Sequence, residues 1–366
     1  MKKTNPFKFG SVVEEPYFTD RTTEQAEIEM VLSSANHLIL ISPRRYGKTS
    51  LIKKVVSSLD RPLIFLDLQL ITDLNDFASQ ILRRVHRVFP LERLRSFFRN
   101  FRVTPTITLN PITNEIDVSF LSNSNQVLLL EDVFNLLDNL GSSNKKPIVV
   151  LDEFQDIKRL GTDTDKHLRA IIQHHQNINY VFMGSIESMM RQIFEEKRSP
   201  FYHFGQLMPL GKIPFSDFKN YIKEGFSDKT NDADTLAEII LTITHCQPYY
   251  TQQLAYTVWN RWDHQMSENE LVEAAVEYLI QIHDNDYHRI WQNQNQTDKK
   301  ILIQISRHHE QMLSQANLQK MGFSSASTLY SGLKRLSQQG YIIKDKANYQ
   351  IDDPFFKSWI LRKREE

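Results

Sequence analysis

Along the first two hundred residues, short runs of continuous apolar character alternate with stretches whose apolar positions recur every three or four residues. The runs lie at residues 37–43 (HLILISP), 62–68 (PLIFLDL), 147–152 (PIVVLD) and 179–184 (NYVFMG). Unbroken apolarity over so few residues predicts strands buried on both faces. The helical period of LIKKVVSSL, DFASQILRRVHRVF and KHLRAIIQHH predicts helices between them. Strands alternating with helices imply a parallel sheet covered on both sides. Residues 106–120 (TITLNPITNEIDVSF) instead alternate at period two around Asn110-Pro111 and Thr113-Asn114. That pattern predicts a hairpin, within about 104–121, inserted between the second and third main strands.

From residue 215 to about 293 the pattern is helical throughout, as in FSDFKNYIKEGF, LAEIILTIT, YTQQLAYTVWNRW and ENELVEAAVEYLIQIH. After the polar stretch 293–298 come helical segments KKILIQISRH and SQANLQKM, a break at Gly322, and a third helix SASTLYSGLKRLSQQ ending at Gly340. Short strands YIIK and YQID then flank a turn at 345–348. Three helices and a two-stranded wing make a winged helix-turn-helix. Its third helix is expected to bury Leu329, Leu333 and Leu336 and to face Ser327, Tyr330, Ser331 and Lys334 outward.

The strongest chemical signal follows the first strand. Ser42-Pro43-Arg44-Arg45-Tyr46-Gly47-Lys48-Thr49 leads straight into the helix Ser50-Leu51-Ile52-Lys53-Lys54. This is a Walker A loop with serine in place of its first glycine. The loop from Pro43 to Ser50 aims its backbone N–H groups, from Arg44 onward, and a helix N-terminus at phosphate, Lys48 supplies charge, and Thr49 supplies a magnesium ligand. About a hundred residues on, Ile148-Val149-Val150-Leu151-Asp152-Glu153 ends a buried strand in two acids. Asp152 is the expected second magnesium ligand and Glu153 the carboxylate that polarises the attacking water. The fourth strand ends in Gly184-Ser185, where Ser185 is either a polar sensor of the γ-phosphate or a serine capping the helix that begins near Glu187. Asn144-Lys145-Lys146-Pro147 lacks the aspartate of a guanine motif, so ATP and ADP are the expected nucleotides. The expected architecture is an α/β P-loop NTPase of the ASCE type over residues 1–213, an all-α lid over 214–294 and a winged helix-turn-helix domain over 295–366.

Composition narrows the setting. Lys plus Arg (44) balance Asp plus Glu (44), so no global field drives the chain onto nucleic acid or membrane. The single cysteine, Cys246, excludes an internal disulfide and a cysteine-based zinc cluster and suits a reducing compartment. Lys2 and Lys3 are followed by Thr4-Asn5-Pro6 and no apolar stretch, and no run reaches the ~18 residues of a membrane span. A cytoplasmic protein with no membrane contact is expected.

Taken in order, several segments resemble the archaeal-type ATPases of the STAND class within the wider AAA+ group. They are Asn5-Pro6-Phe7, Tyr17-Phe18-Thr19-Asp20-Arg21, the loop from Pro43 to Leu51, Leu151-Asp152-Glu153-Phe154-Gln155, Met183-Gly184-Ser185, Ser199-Pro200-Phe201-Tyr202, Pro248-Tyr249-Tyr250-Thr251-Gln252 and Asp353-Pro354-Phe355-Phe356. The resemblance implies that the segment around Phe18 and Arg21 lies beside adenine, with Val12, Val13 and Phe18 lining the base pocket. It implies a lid contact from Pro248, whose motif carries Cys246 where the family has glycine. It also makes Arg198 the nearest candidate for an arginine that senses γ-phosphate, the alternative being a solvated loop charge. Slow turnover and a switch between ATP and ADP states are implied as well.

Two functions fit. One is a signalling or regulatory ATPase that contacts a protein partner, or forms a homo-oligomer, according to nucleotide state. The other is a DNA-binding ATPase similar to origin-recognition proteins, in which the winged helix meets DNA. Residues 298–366 hold twelve Lys or Arg against seven Asp or Glu, a modest basic bias. Neutral overall charge and a recognition helix poor in cations favour the first, with the winged helix packed on the nucleotide domain. A denser basic run, Arg83, Arg84, Arg87, Arg93, Arg95, Arg99 and Arg102, is interleaved with Phe89, Phe97, Phe98 and Phe101. It reads either as a surface for nucleic acid or protein, or as an amphipathic helix with a solvated face.

Overall fold

A computed structural model describes residues 4–109, 112, 116–120, 125–142, 145–307, 325–345 and 348–363. They fall into two units. One comprises Arg21–Ser42 and Lys48–Leu210, the other Met1–Asp20, Pro43–Gly47 and Gly211–Glu366.

The apolar runs of the first unit become strands. In chain order it contains α1 (Thr22–Ser33), β1 (Leu38–Ile41), α2 (Lys48–Ser58), β2 (Leu63–Asp67), α3 (Leu74–Val88), α4 (Leu91–Phe98), β3 (Thr106–Leu109) and β4 (Ile116–Ser119). Then follow α5 (Gln126–Leu140), β5 (Ile148–Asp152), α6 (Thr164–Ile172), β6 (Asn179–Gly184), α7 (Glu187–Glu195) and β7 (Gln206–Pro209). Five strands form one parallel sheet in the order β2-β5-β6-β1-β7. The strand carrying Asp152 is thus separated from β1 by β6, the arrangement expected of an ASCE sheet. Registers pair Ile41 with Gly184 and Asp67 with Asp152, so the carboxyl ends of adjacent strands finish along one edge. In open α/β sheets that edge is where ligands bind.

The four predicted strands are all present. The fifth, β7, escapes a hydropathy reading because it is a four-residue edge strand, QLMP, with only Met208 buried. The hairpin is present as well: β3 and β4 pair antiparallel from Thr106 with Ser119 to Leu109 with Ile116, and β4 lays Ile116 and Val118 into the core beside α3. Its turn residues Asn110, Pro111, Thr113 and Asn114 lie outside the described residues. Beneath the acid pair, Phe154 packs on Phe182, Phe194 and Phe201 with ring centroids 4.6, 5.7 and 5.1 Å away. Each such pair adds about 0.5–1.5 kcal/mol beyond area burial, so the chain just after Glu153 is firmly seated. At the opposite, amino end of the strands, the buried ring of His37 accepts a hydrogen bond at Nδ1 from the Tyr180 backbone N–H at 3.3 Å.

The second unit is helical. It runs α8 (Phe215–Phe226), α9 (Ala233–Thr244), α10 (Pro248–Asn260), α11 (Glu268–Gln292), α12 (Gln296–Arg307), α13 (Ala326–Gln338), β8 (Ile342–Asp345), β9 (Asn348–Ile351) and α14 (Pro354–Arg362). Ser267 and Glu270 close a reciprocal capping box at the head of α11. The amino-terminal segment is tied in by Phe7, which meets Tyr221 edge-on at 5.8 Å and packs tilted against Phe226 at 4.9 Å. In α13, Leu329, Leu333 and Leu336 are buried while Ser327, Tyr330, Ser331 and Lys334 face solvent, as the periodicity implies. Gly332 lets α13 approach α12 closely, since a Cβ there would stand 2.4 Å from Ile301 Cδ1. Arg335 then grips the buried Asp298 with two hydrogen bonds of 2.7 and 2.6 Å. The predicted helix SQANLQKM and the Gly322 break lie outside the described residues. Helix α14 is an addition: its signal is Asp353 at the cap and Pro354 in the first turn, where a missing N–H costs nothing.

Candidate functional site

The site grows from three adjacent strand ends. After β1, Ser42 donates its backbone N–H to the Gly184 carbonyl at 3.3 Å, which ties the start of the loop to the end of β6. Helix α2 opens on Lys48, whose Nζ donates to the Ser42 carbonyl at 2.9 Å in a buried position. One residue on, Thr49 Oγ1 stands 3.5 Å from Asp152 Oδ2 at the end of β5. Burial, and then the neighbouring Glu153 carboxylate, push the Asp152 carboxyl up to about 6, while Lys48 pulls it down.

Glu153 holds a left-handed backbone (φ 51°, ψ 44°) at the start of a short 3-10 helix, Phe154–Arg159. A non-glycine residue in that region costs about 1–2 kcal/mol, so its surroundings must hold it there. Its Oε2 accepts from the Ser185 hydroxyl at 2.6 Å and from the Gln155 side-chain amide. The helix-capping alternative for Ser185 is thereby corrected. The cap of α7 is Ile186, which makes no side-chain bond, and the Ser185 hydroxyl is committed to the acid 32 residues earlier. Gln155 is the residue the sequence reading missed. It is buried, its Oε1 has no partner among the described residues, and its place two positions after Glu153 in the DEFQ string was the available signal.

The tip of the loop, Pro43–Gly47, groups with the helical unit. Gly47 has φ +86°, a conformation that favours glycine, and Tyr46 is buried while Arg44 is exposed. Arg45 has φ +67° and donates from Nη1 to the Tyr250 hydroxyl at 2.8 Å, with its guanidinium over the Tyr249 and Tyr250 rings at 4.5 and 5.6 Å. Val12, Val13 and Phe18 are half-buried members of this unit, and Pro248 is the first residue of α10. The residue at the family's glycine position, Cys246, has φ +57°, so that position does call for a left-handed backbone. Arg21 belongs to the sheet unit, where it is buried and pairs with Glu24 at 2.7 Å. Ser50 is buried in the first turn of α2, and Arg198 is exposed after α7.

The basic run is largely spent inside its own unit. Arg83 pairs with Asp117, Arg84 donates to the Phe65 carbonyl at 2.6 Å, Arg93 to the Leu140 carbonyl at 2.9 Å, and Arg102 to Asp132 at 2.8 Å. Arg87, Arg95 and Arg99 are exposed and take no part in these contacts. Phe89, Phe97, Phe98 and Phe101 pack on the core, which favours the amphipathic reading over a binding surface.

Comparison with known proteins agrees with this layout. Residues 18–254 match a family model described as an ATPase domain predominantly from Archaea, and residues 285–362 match one described as a probable winged helix domain. Among solved structures, the Walker-type ATPase PABY2304 of Pyrococcus abyssi is similar over 98% of this chain and 99% of that one, with TM-score 0.70 and 18% identity. The ORC2 protein of Aeropyrum pernix, solved as ADPNP–ADP complexes, is similar over 98% and 99% of the two chains, with TM-score 0.55 and 15% identity. At such identities the likeness speaks to the fold. The uncharacterized ATP-binding protein MJ1659 of Methanocaldococcus jannaschii is 27% identical over 163 residues, which is 40% of this chain and 45% of that protein. The match therefore spans less than half the length of that relative. Among the described residues, no helix is long and apolar enough to cross a membrane.

Proposed function

The chain belongs to the family of ATPase domains found predominantly in Archaea, and on that premise we propose that it binds ATP with magnesium at Lys48, Thr49, Asp152 and Glu153, hydrolyses it slowly, and uses the ATP and ADP states as a conformational switch. The observation that carries this reading is the convergence at adjacent strand ends of a loop lysine, a hydroxyl–carboxylate pair at 3.5 Å and a second carboxylate oriented by Ser185.

Lys48 exchanges the Ser42 carbonyl for the β- and γ-phosphates, which the backbone N–H groups of Arg44 to Ser50, in the loop that Pro43 opens, also bind. Thr49 and Asp152 offer the hard oxygen donors that magnesium prefers, and the ion, when bound, neutralises charge on the phosphates. Glu153 polarises the water, and the Ser185 and Gln155 donors keep its Oε2 aimed. Ser185 is thus a sensor acting through the catalytic acid. Val12, Val13 and Phe18 take the base with Arg21 beside it, Pro248 brings the lid, and Arg198 is the exposed arginine available to a γ-phosphate. The divisions 1–213, 214–294 and 295–366 serve as nucleotide, lid and output parts.

The test is Glu153→Gln, which keeps the Ser185 and Gln155 partners but removes the charge. Retained ATP binding, loss of phosphate release, and different solution-scattering profiles with ATP and ADP support the switch. Identical profiles with both nucleotides sink it. A second reading, DNA contact by the winged helix, rests on the exposed row Ser327, Tyr330, Ser331 and Lys334. It requires affinity for duplex DNA that falls steeply with salt. The regulatory reading requires instead a protein partner or a homo-oligomer whose contact depends on nucleotide.

A further inference from the structure

Within the helical unit, segments from two distant parts of the chain meet at one guanidinium, and the charges of a third act on it. Arg45 comes from the loop, Tyr249 and Tyr250 from α10, and Asp352 and Asp353 from the junction of β9 and α14. The Arg45 Nη1 donates to the Tyr250 hydroxyl at 2.8 Å, and the cation lies 4.5 Å from the Tyr249 ring centroid. Tyr250 is buried and meets the Phe355 ring edge-on at 5.8 Å. Asp353 caps α14, accepting from the Phe355 and Phe356 backbone N–H groups at 2.8 and 3.1 Å and from the Tyr287 hydroxyl at 3.0 Å. Asp352 accepts from the Gln247 amide at 3.3 Å. Burial raises both carboxyls, Asp352 to about 6, and Arg45 is a cation that draws both back down. Lys212 is a further cation acting on Asp352.

The arrangement is a clasp under load. A left-handed backbone at a residue with a Cβ persists only where its surroundings over-determine it, and at Arg45 the contacts that hold the side chain are the Tyr250 hydroxyl and the Tyr249 and Tyr250 rings. The same residue sits two positions before Gly47, in the loop read above as the phosphate cradle, and the inference rests on that reading. A polyphosphate brought to the loop competes with Tyr250 and the acids for the guanidinium. Once Arg45 turns away, two half-buried carboxylates lose a cation that attracts them, and the cap of α14 loses support.

We propose that Tyr250 and Asp353 are positioning residues that hold Arg45 off the nucleotide in the empty state, so that ATP binding and the Arg45–Tyr250–Asp353 clasp oppose each other and the winged-helix segment senses the nucleotide through them. Coupling of this kind is reciprocal: what ATP takes from the clasp, the clasp takes from ATP affinity.

The test uses the full chain with Tyr250→Phe, which keeps the ring packing but removes the acceptor, and Asp353→Asn, which keeps a capping oxygen but removes the charge. Tryptophan fluorescence melts, reporting Trp259, Trp262, Trp291 and Trp359 of this unit, check that both variants fold. Calorimetry with magnesium-ATP is expected to show both variants binding about fivefold more tightly than wild type, at the low end of known allosteric couplings. Hydrogen exchange across residues 352–360 is expected to speed up with ATP in wild type and to be fast already in the empty variants. Unchanged or weaker ATP affinity in both folded variants overturns the proposal, as does unchanged or slower exchange of that segment when wild type is saturated. If wild type binds no ATP at all, the reading of the loop falls first, and this inference with it.

Discussion

His37 gives a stability prediction whose size follows from its surroundings. Its ring is buried between Tyr180 and Phe204, with centroids 5.3 and 4.8 Å away, and Nδ1 is occupied by the Tyr180 N–H. Burial first, then the charges of His175, Arg169 and Lys146, lower its pKa from 6.5 to about 4. The folded protein therefore binds fewer protons than the unfolded chain between those values. Stability from this group is complete above the unfolded value, is lost as pH falls through 6.5 towards 4, and is flat below. A shift of that size corresponds to about 3 kcal/mol in full and about 2 kcal/mol by pH 5. His37→Asn supplies an acceptor for the Tyr180 N–H without a titrating ring. His175, also held low by burial, remains in both proteins and largely cancels. The assay is urea unfolding at pH 8 and pH 5, followed by hydrogen exchange of β1 and β6. The four tryptophans all lie in the other unit, so their fluorescence is an internal control. Wild type should lose about 2 kcal/mol more than His37→Asn in the sheet and no more in the tryptophan signal. Equal losses within about 0.5 kcal/mol would refute the assignment.

Ser185→Ala removes the hydroxyl that holds Glu153 Oε2. Turnover should fall by about tenfold to a hundredfold with ATP affinity within about threefold of wild type, because only orientation of the acid is touched; a matched loss of affinity, or none of turnover, would count against it. Cys246→Gly places glycine at φ +57°, where relief of a left-handed penalty of about 1–2 kcal/mol outweighs glycine's entropy cost of about 0.5–1 kcal/mol. The tryptophan-detected melt should therefore rise slightly, and a fall of several degrees would show that the thiol's packing matters more.

What could be read in advance divides along physical lines. Strands buried on both faces announce themselves as unbroken apolar runs, so β1, β2, β5 and β6 were legible, whereas the exposed side of β7 hid it among loop residues. The position of the loop and of the acid pair at strand ends was legible because each directly follows an apolar run. Ser185 was visible as a residue, but its choice between capping α7 and bonding Glu153 depends on a register between β5 and β6 that no local pattern encodes. Arg45 was visible only as one residue of the loop after β1. Its partner Tyr250 lies 205 residues away, and nothing in the spacing of either segment predicts that they meet. The two readings of the basic run stayed open for the same reason: Arg84 and Arg93 are charges in the sequence but donors to backbone carbonyls in the fold.

The central claim is that the loop after β1 is an ATP site, and the most direct measurement is a calorimetric titration of magnesium-ATP into the wild-type chain and into Lys48→Ala, with circular dichroism to show that the variant is folded. Lys48 is buried with its Nζ on the Ser42 carbonyl, 2.9 Å away, so its loss removes the charge that faces phosphate while leaving the backbone amides in place. Charge-assisted contacts to phosphate amount to about 3 kcal/mol, which predicts saturable binding by wild type and affinity weakened by about a hundredfold or more in the variant. Equal affinity in the two folded proteins would contradict the account.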